Sequence, residues 1–336
     1  MNRTLNNAKN APSVLPHFSS VLSLFDGISC GQIALNRVGI KYDNYFASEI
    51  DKHAIKVTMK NYPKTMQLGD VIKVKGWDLP KIDLLIGGSP CQGFSFAGKG
   101  LNFEDPRSKL FFEFVRLKSE TQPKYWMLEN VKMKTEHQNI ISEILGVKPI
   151  LINSELVSAQ RRERLYWTNI PITELPTDKG ILLKDIIEIG EPIKDKSQTI
   201  LATLYKENAK SMIKRNKAGL LVKMSSENPQ IKELSITDRG KRPHRNDKRK
   251  SGISEIGTIH YPDTKSYTIT ANHAPKVSTE IIGWRKLTPK ECERLQTVPD
   301  NYTDCVSDSQ RYKMLGNGWT VDVIAHIFNG LLNENL

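Results

Sequence analysis

Four short apolar runs constrain this chain more than anything else in it: "VLSLF" (21–25), "YFASE" (45–49), "IDLLIGG" (82–88) and "YWMLENV" (125–131). Each has the length of a strand, and the segments between them carry helical spacing. The clearest is "RSKLFFEFVRL" (107–117), where Leu110, Phe111, Phe114 and Leu117 share one face. Asp105 and Pro106 supply a start signal for that helix. Strand-helix alternation predicts an α/β fold, a doubly wound and mostly parallel sheet covered on both faces, because parallel neighbours need a long crossover. In such sheets ligands bind beyond the carboxyl ends of the strands.

The pattern is not uniform along the 336 residues. Residues 1–18 are rich in Asn and Ser and lack an apolar signal core, and they read as a flexible arm. Residues 19–171 carry the alternation. From 172 to 275 periodicity weakens and Lys, Arg, Asn and Ser dominate, with "DRGKRPHRNDKRK" (238–250) as the densest basic run. This stretch reads as a second, smaller domain. In it "KSQTI" (196) and "KSYTI" (265) are strand candidates. Order returns in 276–336. Thr288, Pro289 and Glu291 form a capping box with proline at the first helical position. Val321, Ile324, Ala325, Phe328 and Leu331 then line one face of a closing helix, expected to dock back onto the first half.

Composition narrows the partners. The net charge of +12 favours a polyanion such as nucleic acid, although a basic solvated surface would look the same. The four cysteines are far apart and contain no CxxC pair, which argues against a disulfide framework and a zinc site. No apolar stretch approaches the roughly 20 residues that span a bilayer.

The strand ends carry the chemistry. "LFDGISCG" (24–31) follows a strand and opens a helix, with Gly27 and Gly31 permitting close backbone approach, yet it is not a G-x-G-x-x-G fingerprint. Glu49 ends the second strand, where a carboxylate can hold both hydroxyls of a ribose. Asp70, in "LGDV" (68–71), could accept from an adenine amino group. A helix cap or a surface charge is the bland alternative for each acid. Cys91 stands just past an apolar run, after Pro90 and before a glycine-rich loop (Gly93, Gly98, Gly100). Glu129 ends the "LENV" strand, and "QRRER" (160–164) brings Arg161, Arg162 and Arg164, the last two on one face if strand begins there. A thiol, a carboxyl group and arginines at one sheet edge form a reactive constellation.

Taken in order, "LFDGISCG", "ASEID", "GGSPCQGFS", "LENV", "QRRER", "RLQTVPDNY" and "LGNGWTV" make the chain resemble the DNA cytosine-5 methyltransferases over most of its length outside 172–275. The resemblance implies a class I S-adenosylmethionine-dependent fold with a target-recognition domain at 172–275 that reads base edges in the major groove. It implies Cys91 as the thiolate that adds to C6 of a flipped cytosine. Glu129 would protonate and hydrogen-bond N3, and Arg164 with Arg162 would bind O2 and hold Glu129. S-adenosylmethionine would be the methyl donor, without a metal. Phe25 would stack on its adenine, Glu49 hold the ribose and Asp70 meet the amino group. Leu110 and Asn317 would line the pocket, and Asp26, Gly27, Ile28, Ser29, Ile50, Val71, Pro90 and Gly318 would complete it. The glycine-rich loop would close over the target.

Two motifs depart from the common bacterial pattern: Phe-Asp-Gly-Ile-Ser at the first loop and "GNGWTV" at the last. Both resemble more closely the animal de novo DNA methyltransferases and related small enzymes. The expected partner is double-stranded DNA, with a separate cognate restriction endonuclease compatible with the reading. A monomer in the cytoplasm of a prokaryotic or phage-infected cell, with no membrane contact, is the family expectation. The alternative is a tRNA cytosine-5 methyltransferase of the same fold, but its Cys-Phe-Thr tripeptide is missing.

Overall fold

The structure, a computed structural model, describes residues 16–90, 106–225 except six positions between 208 and 216, 258–261, 264–268 and 281–332. Cys91 and the glycines after it, residues 1–15 of the expected arm and the basic run 238–250 lie outside the described residues, and a strand already begins at His17, within the 1–18 expected for the arm. In chain order the elements are β1 (His17–Leu24), α1 (Cys30–Arg37), β2 (Lys41–Ser48), α2 (Lys52–Asn61), β3 (Met66–Gln67), β4 (Leu84–Gly87), α3 (Pro106–Thr121), β5 (Tyr125–Val131), α4 (Thr135–Leu145), β6 (Ile150–Asn153), β7 (Glu163–Thr168), β8 (Glu191–Pro192), β9 (Leu221–Ser225), β10 (Thr258–Tyr261), β11 (Thr264–Thr268), β12 (Ile281–Lys286), α5 (Pro289–Leu295), α6 (Asp308–Asn317) and α7 (Val321–Asn329).

They fall into two units. The first holds Met1–Ser154, Glu163–Thr177 and Gly318–Leu336; the second holds Glu155–Arg162 and Asp178–Asn317. In the first, seven strands run in the order β3-β2-β1-β4-β5-β7-β6. Neighbours from β3 to β5 pair in parallel, while β7 is antiparallel to both β5 and β6. This is the mostly parallel, doubly wound sheet the alternation predicts. Central strands buried on both faces read as unbroken apolar runs: Leu84, Leu85 and Ile86 are all fully buried. Against one face pack Phe111, Phe114 and Leu117 of α3 with Trp126 and Trp167. Burying each such side chain contributes about 1.5–3 kcal/mol. The α3 helix runs a turn longer than the 107–117 pattern. Its Arg116 donates to the carbonyls of Val71 (3.2 Å) and Val74 (2.9 Å), and Glu120 accepts from Gly76 N–H at 2.7 Å. The helix thereby holds the short 3-10 turns that follow Asp70.

The closing helix α7 packs on α1, as its apolar face predicts. Arg37 of α1 pairs with Asp322 in the first turn of α7. Gly31 allows α1 to lie close on the sheet: a Cβ there would sit 2.4 Å from Ile86 Cδ1 and 2.8 Å from the Tyr45 hydroxyl.

In the second unit, β12 and β8 flank β9, and β10 with β11 forms a hairpin. The predicted capping box forms: Thr288 Oγ1 accepts from Glu291 N–H at 3.1 Å, and Glu291 Oε2 accepts from Thr288 N–H at 2.8 Å. Of the two short echoes, "KSYTI" supplies β11. "KSQTI" makes a single parallel bridge, Ser197 to Gln160. Beyond it the bonds pass to side chains: Thr199 Oγ1 donates to Arg161 O at 2.8 Å, and Gln160 Oε1 accepts from Ile200 N–H at 2.8 Å. The unit boundaries also differ from 172 and 276. Residues 281–317 belong to the second unit because β12 pairs with β9, and 155–162 join it because Lys196 Nζ donates to the carbonyls of Glu155 and Ser158 at 2.9 and 3.2 Å. Only 318–336 return to the first unit.

Candidate active site

All the strand ends named from sequence in the first unit meet at the carboxyl edge of one sheet. At β1 the backbone leaves the strand in an unusual way. Phe25, Gly27 and Ser29 all have left-handed φ, +57°, +58° and +63°. For Phe25 and Ser29 that conformation is strained, and it persists only where the surroundings enforce it. Part of the enforcement is Glu49. Its Oε2 accepts from Gly27 N–H at 2.8 Å, and its Oε1 accepts from Ile50 and Asp51 N–H at 2.7 and 2.8 Å. The acid at the end of β2 thus straps the β1 loop to its own strand. Asp51, not Glu49, caps α2 by accepting from His53 N–H at 2.9 Å. Ile50 projects 76% exposed from this rim. Asp70 caps the next 3-10 turn through Ile72 N–H at 3.1 Å.

Asp26 is buried between these strands. The Tyr45 hydroxyl donates to its Oδ1 at 3.0 Å. Burial pushes its carboxyl group from 3.8 up to about 6, against the pull of the Ser23, Ser29 and Tyr45 hydroxyls. Ile28 and Val71 are buried, so their side chains belong to the core. Leu110 packs half-buried at the edge of the apolar cluster. Among the described residues, a Cβ at Gly27 or Gly69 would meet nothing within 4 Å.

The second half of the edge is built by β4, β5 and β7. Glu129 is buried, and its Oε1 pairs with Arg164 Nε at 2.9 Å. Register explains the pair. Glu129 lies opposite Tyr166, and Arg164 lies opposite Val131, so the two are diagonal neighbours on one face of the antiparallel β5–β7 pair. Glu129 Oε2 accepts from the Trp319 indole Nε1–H at 3.1 Å. Asn130 Nδ2 donates to Ser89 O and Oγ at 3.3 and 3.4 Å, which ties β5 to the exit of β4. Exposed Pro90 follows, one residue before Cys91.

The arginine triplet divides. Only Arg164 lies on β7. Arg162 precedes the strand and belongs to the second unit, where it is buried and donates to the carbonyls of Ile200 (3.3 Å) and Gly316 (3.2 Å). Arg161 pairs with Glu155 at 3.1 Å. Asn317 ends α6, exposed, in the second unit, and half-buried Gly318 opens the return segment of the first. Sequence reasoning passed over Gly88, Ser89, Asn130 and Trp319. The indole in "LGNGWTV" was the available signal, since a large amphipathic ring among glycines just before a helix wants a partner for its N–H.

A seven-stranded sheet in this order, with its acids and glycines at the carboxyl edge, is the class I fold of S-adenosylmethionine-dependent methyltransferases. The solved structure of the Entamoeba histolytica methyltransferase EhMeth aligns over 94% of this chain and 98% of its own, with a TM-score of 0.64 at 16% identity. The family model of C-5 cytosine-specific DNA methylases matches residues 19–333, and the chain belongs to that family. The Type II methyltransferase M1.ScrFI of Lactococcus lactis subsp. cremoris is 30% identical over 93% of this chain and 77% of its own length. The orphan methyltransferase M.SPRI of Bacillus phage SPR is 38% identical over 51% of this chain. That alignment takes in less than half of the phage enzyme, 43%.

Proposed function

We propose that the protein transfers a methyl group from S-adenosylmethionine to C5 of a cytosine in double-stranded DNA, through a covalent adduct between Cys91 and C6. The observation that carries this reading is the Glu129–Arg164 pair at the end of β5, tied through Asn130 to the Ser89–Pro90 exit that leads into Cys91.

The cradle beside Glu49 and Asp70 suits the donor. Exposed Ile50 offers an apolar platform beside the anchored Glu49 carboxylate. Glu49, Ile50, Phe25 and Asp70 would hold the adenosine part, with Leu110 at the edge. Asp26, Gly27, Ile28, Ser29, Val71 and Pro90 would shape the loops around it, and Asn317 and Gly318 complete the proposed set. When bound, S-adenosylmethionine supplies an electrophilic methyl group.

The remaining chemistry belongs to the chain. C5 of cytosine is too weak a nucleophile until a thiolate adds at C6 and makes the 4,5-bond enamine-like. Cys91 makes that bond. Glu129 hydrogen-bonds and protonates N3, which draws charge off the ring. Arg164 holds Glu129 and donates to O2 of the base. Arg162, bound to two carbonyls of the second unit, acts there as a strut for the segment that leads into β7. With the methyl group on C5, loss of the C5 proton restores the double bond and expels Cys91. A stacked base is out of reach of these groups, so the cytosine is turned out of the duplex.

The test uses purified protein and duplex DNA carrying tritium at C5 of cytosine. Release of tritium dependent on S-adenosylmethionine, lost in Cys91→Ala with DNA binding retained, is expected. Full turnover by the Ala variant would remove Cys91 from the reaction. A tRNA substrate run in parallel separates the RNA alternative, and bisulfite sequencing of host DNA reads the sequence context.

A further inference from the structure

Glu129 has two carboxylate oxygens, and each receives one side-chain donor: Arg164 Nε on Oε1 at 2.9 Å and Trp319 Nε1–H on Oε2 at 3.1 Å. The donors reach it from distant parts of the sequence. Arg164 comes with β7, and Trp319 with the turn that opens α7. That turn is pinned within the first unit: the Cys30 thiol donates to Trp319 O at 3.7 Å, and Ser154 Oγ donates to Thr320 Oγ1 at 2.9 Å. Gly88 makes room for the contact. A Cβ there would stand 2.8 Å from Trp319 Nε1 and 2.9 Å from Glu129 Oε2, between the two partners.

We propose that Trp319 is a positioning residue, which sets the plane of the Glu129 carboxylate so that its free edge faces N3 of the target cytosine. The inference rests on the methyl-transfer reading above and extends it to a residue that acts through Glu129. The last torsion of a glutamate is broad and nearly two-fold, so one donor leaves the carboxyl group free to turn. Two donors on different oxygens, held by different elements, remove that freedom. An indole N–H can only donate, so it neither takes up the proton that Glu129 handles nor adds charge beside it. Arginine at the same place would add a second positive charge, and serine could accept as well as donate.

Trp319→Phe keeps an aromatic ring and removes the N–H. Turnover should fall by about tenfold, the size expected when a hydrogen bond to a charged group is lost from a reactive arrangement. The KM values for DNA and for S-adenosylmethionine should stay within about twofold, and tritium release from C5 should fall in step with methyl transfer. Should the phenylalanine protein fail to fold, 3-benzothienylalanine at position 319, with sulfur in place of N–H, preserves the bicyclic shape and should show the same selective loss. Wild-type kcat in either folded variant, or a loss confined to KM, would overturn the proposal. An inactive wild-type protein would instead overturn the methyl-transfer reading on which it stands.

Discussion

Asp26 carries a cost that the cradle imposes. Its carboxyl group titrates near 6, above the ordinary 3.8, because burial disfavours the charged form. A raised acid stabilises the fold below the unfolded value and loses that contribution as pH climbs through the folded one. Asp26→Asn keeps an acceptor for Tyr45 and cannot ionise. It should therefore be more stable than the wild type at pH 8, by on the order of 3 kcal/mol, with the difference falling below about 1 kcal/mol by pH 4. Urea midpoints at pH 4, 6 and 8 check this; a gain that did not change with pH would assign it to packing instead. At this scale, residues whose position follows from a strand end are legible in sequence: Glu49, Asp70 and Glu129 stand where alternation places them. Trp319 is not, since its partner is 190 positions away. Nor is Arg162: the strand starts one residue after it, and its burial against two carbonyls has no mark in the local sequence.

Helix α5 shows what a local signal conveys and what it conceals. Its capping box is readable in four residues. Glu291 also accepts a two-pronged ion pair from Arg285, with both contacts at 2.7 Å and side-chain exposures of 0% and 1%. Pairing across β12 and α5 depends on tertiary placement, so the sequence pattern shows the cap alone. Thr288→Ala should cost about 1 kcal/mol, the loss of one cap. Glu291→Ala should cost about 3–5 kcal/mol, because it leaves the Arg285 guanidinium buried without its carboxylate. Urea unfolding of the two variants compares them; equal losses would show that the ion pair contributes nothing beyond the cap. Strand β7 makes the same point. "RLYW" reads as a strand, but its direction is invisible in sequence, and that direction is what sets Arg164 diagonal to Glu129.

For the molecule as a whole, the alternation of strands and helices carries the sheet and its winding, and the change of character after 171 carries the existence of a second unit. The borders between units are not legible, because chain continuity is a poor guide when 155–162 and 281–317 pair with distant segments. Charge belongs to this scale too. The net +12 includes the seven cations of 238–250, which lie outside the described residues. Replacing them with serine should lower the slope of log binding constant against log salt by up to about 0.9 for each phosphate that is no longer neutralised. Filter binding or anisotropy across a salt series measures it, and an unchanged slope would make the run solvated surface.

The backbone passes between the two units at four junctions: 154/155, 162/163, 177/178 and 317/318. The final passage is the one that delivers Trp319 and lays α7 over α1. A nascent chain therefore carries Cys91, Glu129 and Arg164 well before it has the cover for its first helix. A polypeptide cut short upstream of residue 318 keeps Glu129 and Arg164 but lacks the helix that packs on α1.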